Sequence, residues 1–310
     1  MLKTEISPGE PRTDAQARAQ GFARFAWGVL AYNVGVVLWG AYVRATGSGA
    51  GCGKHWPLCN GQVAPQSPTA ATIIEFTHRA TSGLDLALVA LLVAWAFRAF
   101  PRRHPVRRGA VLSAAFLAME ALIGAALVLL EHVARNTSAN RAYSLSTHLI
   151  NTLTLLACLT LTAWWGMGQP AVRPRGAAAW RAAISLASVM LVGVSGAIAA
   201  LGDTLFPVRS LAEGLAQDFN PAANIFVRLR WLHPLIAAAG GAWLLCYAFS
   251  ALARRPKARS LAAGVAGLVS LQFLAGIANL LLRAPVWMQL VHLLLADLVW
   301  IWLVLLCASE

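Results

Sequence analysis

The sequence is short of charge, and of acidic residues above all. Only 12% of its 310 residues are charged, with 12 Asp and Glu against 25 Lys and Arg, whereas a soluble domain carries about a quarter charged residues. The deficit argues against a soluble domain and points to a lipid bilayer as the solvent. The first 24 residues lack an apolar run, so we expect no cleavable signal peptide.

Apolar stretches long enough to cross a bilayer recur along the whole chain, in which 58% of residues are hydrophobic. A spanning helix needs about 20 mainly apolar residues, and clusters of Pro and Arg separate such stretches. The sequence therefore predicts an all-α integral membrane protein with eight transmembrane helices. The predicted spans are 25–43, 77–98, 109–131, 146–166, 178–201, 230–252, 260–282 and 288–307.

The basic residues predict the orientation. Most of the 25 Lys and Arg residues fall on one side of the predicted membrane. Because cytoplasmic loops are enriched in Lys and Arg, this side is expected to face the cytoplasm, together with both termini. We expect the protein in the plasma membrane, with its two long loops facing outward. The basic segments are 1–24, 98–108, 173–181 and 254–259, and the long loops are 44–76 and 202–229.

The chain also has the pattern of a tandem duplication. In each half a histidine opens the second and the fourth span, and the third span carries an acid or amide four residues before a glycine. This predicts two pseudo-symmetric four-helix bundles related by an axis along the membrane normal. The predicted organisation is a cytoplasmic tail over 1–24, an N-terminal bundle over 25–170 and a C-terminal bundle over 171–310.

Four histidines near the outward ends of even-numbered spans are the candidate ligands: His78, His148, His233 and His292. Ionisable residues inside a membrane are costly and are functional candidates by default. Any one alone could be a hydrogen-bonded packing residue. Two neutral imidazoles facing each other in each bundle favour a haem with two histidine ligands, whereas zinc would need further N or S ligands.

Three sequence strings resemble the haem A synthase family. They are V-R-A-T-G-S-G at 43–49, W-P-L-C-N-G at 56–61 and I-E-F-T-H-R at 74–79. That family oxidises the C8 methyl group of haem O to a formyl group, giving haem A for terminal oxidases. The resemblance implies that the N-terminal half holds the haem O substrate through His78 and His148. It implies likewise that the C-terminal half holds a haem b cofactor through His233 and His292.

Glu75 is the candidate catalytic residue. It lies three residues before His78, so the two side chains share one helix face about one turn apart. This position matches the catalytic glutamate of the family. The alternative is an interfacial glutamate that a helix N-terminus satisfies.

Cys52 and Cys59 lie in the first outer loop. If that loop faces an oxidising compartment such as a periplasm, a disulfide is expected. The bond could hold the loop over the N-terminal bundle, or it could take part in a thiol–disulfide step, and the sequence leaves both interpretations open.

Arginines near the histidines are candidate partners for haem propionates. Arg44 and Arg79 flank the first site, and Arg228 and Arg230 precede His233. The alternative is that these side chains extend to lipid headgroups. Three intramembrane acids have no assigned role but are expected to face protein rather than lipid. They are Asp85, Glu120 and Asp297.

Two other functions fit the same histidines. One is a dihaem b-type electron-transfer protein, and the other is a haem transporter. The expected partners are the lipid bilayer, haem O, a haem O synthase, an electron acceptor and a second copy of the chain. Nucleic acid is not expected, because the basic residues sit in short interhelical loops.

The predicted orientation can be tested with alkaline phosphatase, which is active only outside the cytoplasm. A fusion after Ala134, in the loop that follows span three, should be active in a bacterial host. A fusion after Arg175, in the loop that follows span four, should be inactive, because basic loops are retained in the cytoplasm. The opposite pair of activities would reverse the topology.

Overall fold

The computed structural model describes residues 14–171 and 174–309, with side chains from residue 17 onward. Ten α-helices and one short 3₁₀ turn account for most of this part of the chain. The helices are α1 (Asp14–Ala45), α2 (Ala70–Ala99), α3 (Pro105–Leu129), α4 (Ala139–Gly166), α5 (Ala177–Leu205), α6 (Leu211–Asp218), α7 (Ile225–Arg230), α8 (Leu232–Arg254), α9 (Arg259–Leu281) and α10 (Val286–Ala308), and the turn is Pro256–Ala258.

Eight helical segments of the described chain are long and apolar enough to cross a membrane. They are α1 to α5, α7 continued by α8, α9 and α10. The predicted all-α fold with eight spans is therefore confirmed, and the protein is a multi-pass membrane protein.

The helices start earlier than the hydropathy pattern predicts. The second span was expected from residue 77, but α2 starts at Ala70, where the Thr69 side chain accepts a hydrogen bond from the Thr72 amide. Hydropathy detects only the apolar part of a helix, whereas capping extends the helix into polar residues. The helix α1 likewise starts at Asp14, inside the predicted tail. The predicted basic residues Lys3, Arg12 and Arg173 lie outside the described residues.

Within each half, four long helices pack as neighbours around a closed ring. In the first half α1 contacts α2 and α4, and α3 contacts the same two helices. In the second half α5, α8, α9 and α10 contact one another in the same cyclic order. Helices α2 and α4 therefore stand at opposite corners of one ring, and α8 and α10 at opposite corners of the other. The exact symmetry between the halves stays a prediction.

The two halves meet mainly through α4 and α10. Helix α4 packs against both α5 and α10, and α10 also reaches α1. The indole of Trp300 on α10 is buried and donates a hydrogen bond of 2.7 Å to the Leu153 carbonyl of α4. Side chains of α10, including Ile301 and Val304, belong to the same apolar cluster as the first four helices. The halves thus share one core.

Glycines bring neighbouring helices into close contact at several points. A Cβ on Gly241 would lie 2.3 Å from the Phe273 ring, and one on Gly264 would lie 2.1 Å from the indole nitrogen of Trp302. Small residues at such crossings allow the dispersion contacts that drive helix association in lipid.

The hydropathy pattern does not predict α6 and α7, the two short helices between α5 and α8. The hydropathy of α6 gives no signal, but its start carries a capping pattern. The Ser210 side chain accepts from the Glu213 amide at 3.1 Å, and Glu213 accepts from the Arg209 amide at 2.8 Å. A serine followed three residues later by a glutamate is the signal that could have located this helix.

Replacing Trp300 with Phe should loosen the contact between the halves. The change removes the buried hydrogen bond to Leu153 and should cost about 1 kcal/mol of stability. Unfolding by SDS in mixed micelles measures this loss. Trp180→Phe is the matched control, because Trp180 is 72% exposed, and it should leave the unfolding midpoint unchanged. Equal midpoints for the two variants would contradict the role of Trp300.

Candidate functional site

The four histidines lie at the same end of the protein, in two pairs. His78 lies near the start of α2 and His148 near the start of α4, at opposite corners of the first ring. The two side chains lie within range of each other across that ring. His233 on α8 and His292 on α10 are placed in the same way in the second half. The structure therefore brings together the residues that the sequence analysis paired.

Three of these imidazoles each pack against a glycine on a neighbouring helix. A Cβ on Gly40 would lie 3.0 Å from Cε1 of His78, and a Cβ on Gly196 would lie 2.9 Å from Cε1 of His233. The same relation places Gly276 against His292, at 3.2 Å. A larger residue at these positions would displace the ring, so the glycines fix where each imidazole stands.

Three of the four imidazoles have a buried nitrogen that forms no hydrogen bond. The Nδ1 atoms of His78, His148 and His292 are buried and form no hydrogen bond, while Nδ1 of His233 lies 3.0 Å from the Ser195 hydroxyl. Buried polar atoms normally have partners, so these three rings lack the hydrogen bonds that a purely structural histidine would make. Two imidazoles per half suffice for a haem, because the porphyrin supplies the other four iron ligands. No group of three or more His, Cys, Asp or Glu side chains in the described chain could hold a metal ion.

Glu75 is almost fully buried, with 3% of its surface exposed. One carboxylate oxygen, Oε2, accepts a hydrogen bond of 2.8 Å from the Cys52 amide. The other, Oε1, accepts one of 2.5 Å from the Arg79 guanidinium. A carboxylate held from two directions cannot swing away, so its position one turn before His78 is fixed.

Arg79 ties the first outer loop to α2. Besides Glu75, its guanidinium donates two hydrogen bonds of 2.6 Å to the carbonyls of His55 and Leu58. The sequence predicts that Arg79 is a partner for a haem propionate or extends to a lipid headgroup. In the structure its bonds hold the loop and Glu75 together.

The loop between α1 and α2, which contains Cys52 and Cys59, packs against the start of α2. The structure joins Cys52 and Cys59 by a disulfide, with both side chains buried. Gly51 lies so close to the start of α2 that a Cβ would come within 2.4 Å of the Ala71 carbonyl. At its outer side Lys54 forms an ion pair of 3.0 Å with Glu131, in the loop between α3 and α4.

Arg44 reaches from α1 into the second half. Its guanidinium donates hydrogen bonds of 3.0 Å to the Ala200 carbonyl and the Thr204 hydroxyl on α5. A third bond, of 2.9 Å, goes to the Gln289 side chain on α10. Arg44 therefore links the two halves at the end where the histidines lie, although the sequence analysis placed it with the first site alone.

Arg230 anchors the second outer loop. It forms ion pairs of 3.0 Å with Asp203 and 2.6 Å with Asp218, and it donates to the Gly214 carbonyl at 3.2 Å. Arg230 stands three residues before His233, as Glu75 stands three residues before His78. The position that holds a carboxylate in the first half thus holds a paired cation in the second.

Arg228 is exposed and lies beside a groove of about 300 Å³. Phe219 and Trp231, whose ring centroids are 5.9 Å apart, form part of its wall. Of the four predicted propionate partners, Arg228 is the one that is exposed on the surface of the protein.

Comparison with known proteins decides the family. Residues 23–304 match the family model COX15-CtaA, described as cytochrome oxidase assembly protein. The chain belongs to the COX15-CtaA family. The resemblance to haem A synthases seen in the sequence is confirmed at this level.

Curated relatives carry two different names. A protein of Thermus thermophilus named protoheme IX farnesyltransferase is 51% identical over 302 residues, which make up 96% of this chain and 49% of the relative. A Geobacillus kaustophilus protein named heme A synthase is 48% identical over 93 residues, 30% of this chain and 29% of the relative. A Bacillus mycoides heme A synthase is 47% identical over the same length. The chain spans about half the length of the first curated relatives it matches.

Arg141 is a buried residue near the candidate ligands that is not among those expected from the sequence. Arg141 is only 2% exposed and donates to the carbonyls of Ala134 at 2.6 Å and Asn136 at 2.9 Å. It lies seven residues before His148, on the same face of α4 and nearer the loops. A basic residue seven positions from a candidate ligand is a signal that the sequence contains.

Replacing Gly51 with Ala should lift the first outer loop from α2. The added Cβ would meet backbone atoms of Ala71, which cannot move aside, so the bond from the Cys52 amide to Glu75 should break. The buried disulfide should then react faster with a phosphine reductant, as the mass of the alkylated Cys52 peptide reports. Gly83→Ala is the control, since nothing lies within 4 Å of that position. Equal reduction rates in the two variants would show that the loop does not depend on this contact.

Proposed function

We propose that this chain is a haem A synthase, an enzyme that oxidises the C8 methyl group of haem O to a formyl group. Membership of the COX15-CtaA family and the relatives named heme A synthase support an enzyme of haem biosynthesis. The match to those relatives covers the N-terminal third of the chain. That third contains Glu75, His78 and the disulfide loop.

The observation that carries the proposal is the buried carboxylate of Glu75 beside His78. An acid inside an apolar helix is costly and persists where it has a function. Glu75 is held by Arg79 and the Cys52 amide, yet each oxygen keeps a lone pair that can accept a proton. A group that accepts protons next to a bound porphyrin is what the oxidation of a methyl carbon requires.

The residue three positions before the histidine differs between the halves, and this difference supports different roles for them. The first half places Glu75 one turn before its histidine, whereas the second half places Arg230 there, ion-paired with Asp203 and Asp218. A paired guanidinium cannot accept a proton. We therefore assign the substrate haem to His78 and His148, and a haem b cofactor to His233 and His292.

The residues of this chain would act by binding, orienting and covering. Haem b, when bound, supplies one-electron redox chemistry. His78 and His148 would hold the substrate between α2 and α4, and the disulfide loop would keep bulk water from the reacting edge. Glu75 would take up protons released at the methyl carbon through Oε1 or Oε2. The exposed guanidinium of Arg228 is the predicted propionate partner in the second half.

The relative named protoheme IX farnesyltransferase suggests a partner. This chain matches about half of that protein, and a farnesylated haem is the substrate of the proposed oxidation. A haem-prenylating enzyme is therefore the partner that would supply the substrate.

The decisive experiment replaces Glu75 with Gln in the full chain, expressed together with a haem O synthase. Gln keeps the volume and one acceptor oxygen but takes up protons poorly, so haem A should disappear from the extracted pigments while haem b remains. Glu131→Gln is the matched control, because Glu131 is exposed at the same end of the protein, and it should form haem A normally.

One outcome would contradict the role of Glu75, and two others would contradict the enzyme assignment. Normal haem A in Glu75→Gln would remove the catalytic role of that residue. Haem b alone in both halves of the wild-type protein would favour an electron carrier. Conversion of protohaem IX and farnesyl diphosphate to haem O by the purified chain would favour a prenyltransferase.

A further inference from the structure

A partly buried acid, Glu120 on α3, lies against the candidate ligand His148. Its carboxylate accepts a hydrogen bond of 2.5 Å from the Asn151 amide and a short one from the Thr152 hydroxyl. Its Oε1 also lies 3.2 Å from Nδ1 of His148, although the two atoms do not form a hydrogen bond. About four fifths of the Glu120 side chain is shielded from solvent.

Helix α4 supplies all three neighbours from one face. Asn151 and Thr152 follow His148 by three and four residues, which places them one turn along on the same side of the helix. Asn151 donates to Oε2, and Thr152 donates to Oε1, the oxygen that lies 3.2 Å from Nδ1 of His148. Holding an acid within a membrane span in this way is costly unless its contacts serve a purpose.

The second half repeats the position with different chemistry. Glu120 and Gln272 each lie four residues before a glycine in the third span of their half. The Gln272 amide nitrogen lies 3.4 Å from Nε2 of His292, and Nδ1 of His292 has no hydrogen-bond partner. His148 therefore has a carboxylate beside Nδ1, whereas Nδ1 of His292 is not hydrogen-bonded.

We propose that Glu120 is a positioning residue that orients His148 and makes it a stronger iron ligand than His292. The inference rests on the proposed function, in which both histidines bind haem iron. A carboxylate beside Nδ1 favours the tautomer that carries its proton on Nδ1, which leaves the Nε2 lone pair for the metal. Such partners also raise the basicity of a ligating imidazole. Nδ1 of His292 has no hydrogen-bond partner to act in this way.

The consequence is a difference in redox behaviour between the halves. A more basic imidazole stabilises ferric iron relative to ferrous iron, so the haem bound by His148 should have the lower reduction potential for its type. Loss of Glu120 should also weaken haem binding in the first half, by about 10- to 100-fold for a partner of this kind.

The test measures the midpoint potential of each haem in the full-length protein by spectroelectrochemical titration. Haems are assigned to halves with His292→Ala, which should remove the second-half haem. Glu120→Gln should shift the first-half haem to a more positive potential and leave the second-half haem unchanged. Glu120→Asp, which keeps the charge but withdraws it by one methylene group, should give a smaller positive shift and serves if Glu120→Gln does not fold.

The outcomes separate this inference from the proposed function. Unchanged potentials in Glu120→Gln, with both haems bound and haem A still formed, would overturn the inference and leave the enzyme assignment standing. A wild-type protein that binds no haem in its first half, even when supplied with haem O, would overturn both.

Discussion

Polar side chains that must be satisfied inside a bundle of apolar helices determine how this protein is built. A buried polar group without a partner costs free energy, and lipid offers no alternative partner. The structure meets this constraint with contacts between helices. Asn33 on α1 donates to Asp85 on α2, Glu120 on α3 accepts from α4, and Arg44 on α1 bonds with α5 and α10. These contacts set which helices are neighbours at the end where the histidines lie.

The two halves share a frame but differ in the residues around their histidines. Both halves place two histidines on opposite helices and pack glycines against the rings. They differ at the residues next to those histidines, where Glu75 corresponds to Arg230 and Glu120 to Gln272. In each pair the first half has the carboxylate. A duplicated frame with carboxylates at these two positions in the first half only is consistent with the proposed reaction in that half.

The outer loops belong to the site because arginines connect them to the helices. Arg79 joins Glu75 to two carbonyls of the disulfide loop, and Arg230 joins Asp203 on α5 to Asp218 at the end of α6. A single guanidinium has five donors in a fixed plane, so it can fix a loop and a carboxylate at once. The geometry of Glu75 therefore depends on loop residues that are distant from it in the chain.

The sequence by itself determined the eight spans, the paired histidines and the family, since hydropathy and local motifs depend on residues close together in the chain. Only the tertiary structure shows that Arg44 contacts the second half and that Arg79 bonds with the carbonyls of the disulfide loop. It also shows that Glu120 lies beside His148. Those contacts join helices whose residues are far apart in sequence, and many orientations of an apolar helix have similar hydropathy. Which face meets which neighbour is decided by packing and by the pairing of buried polar groups, which no single segment specifies.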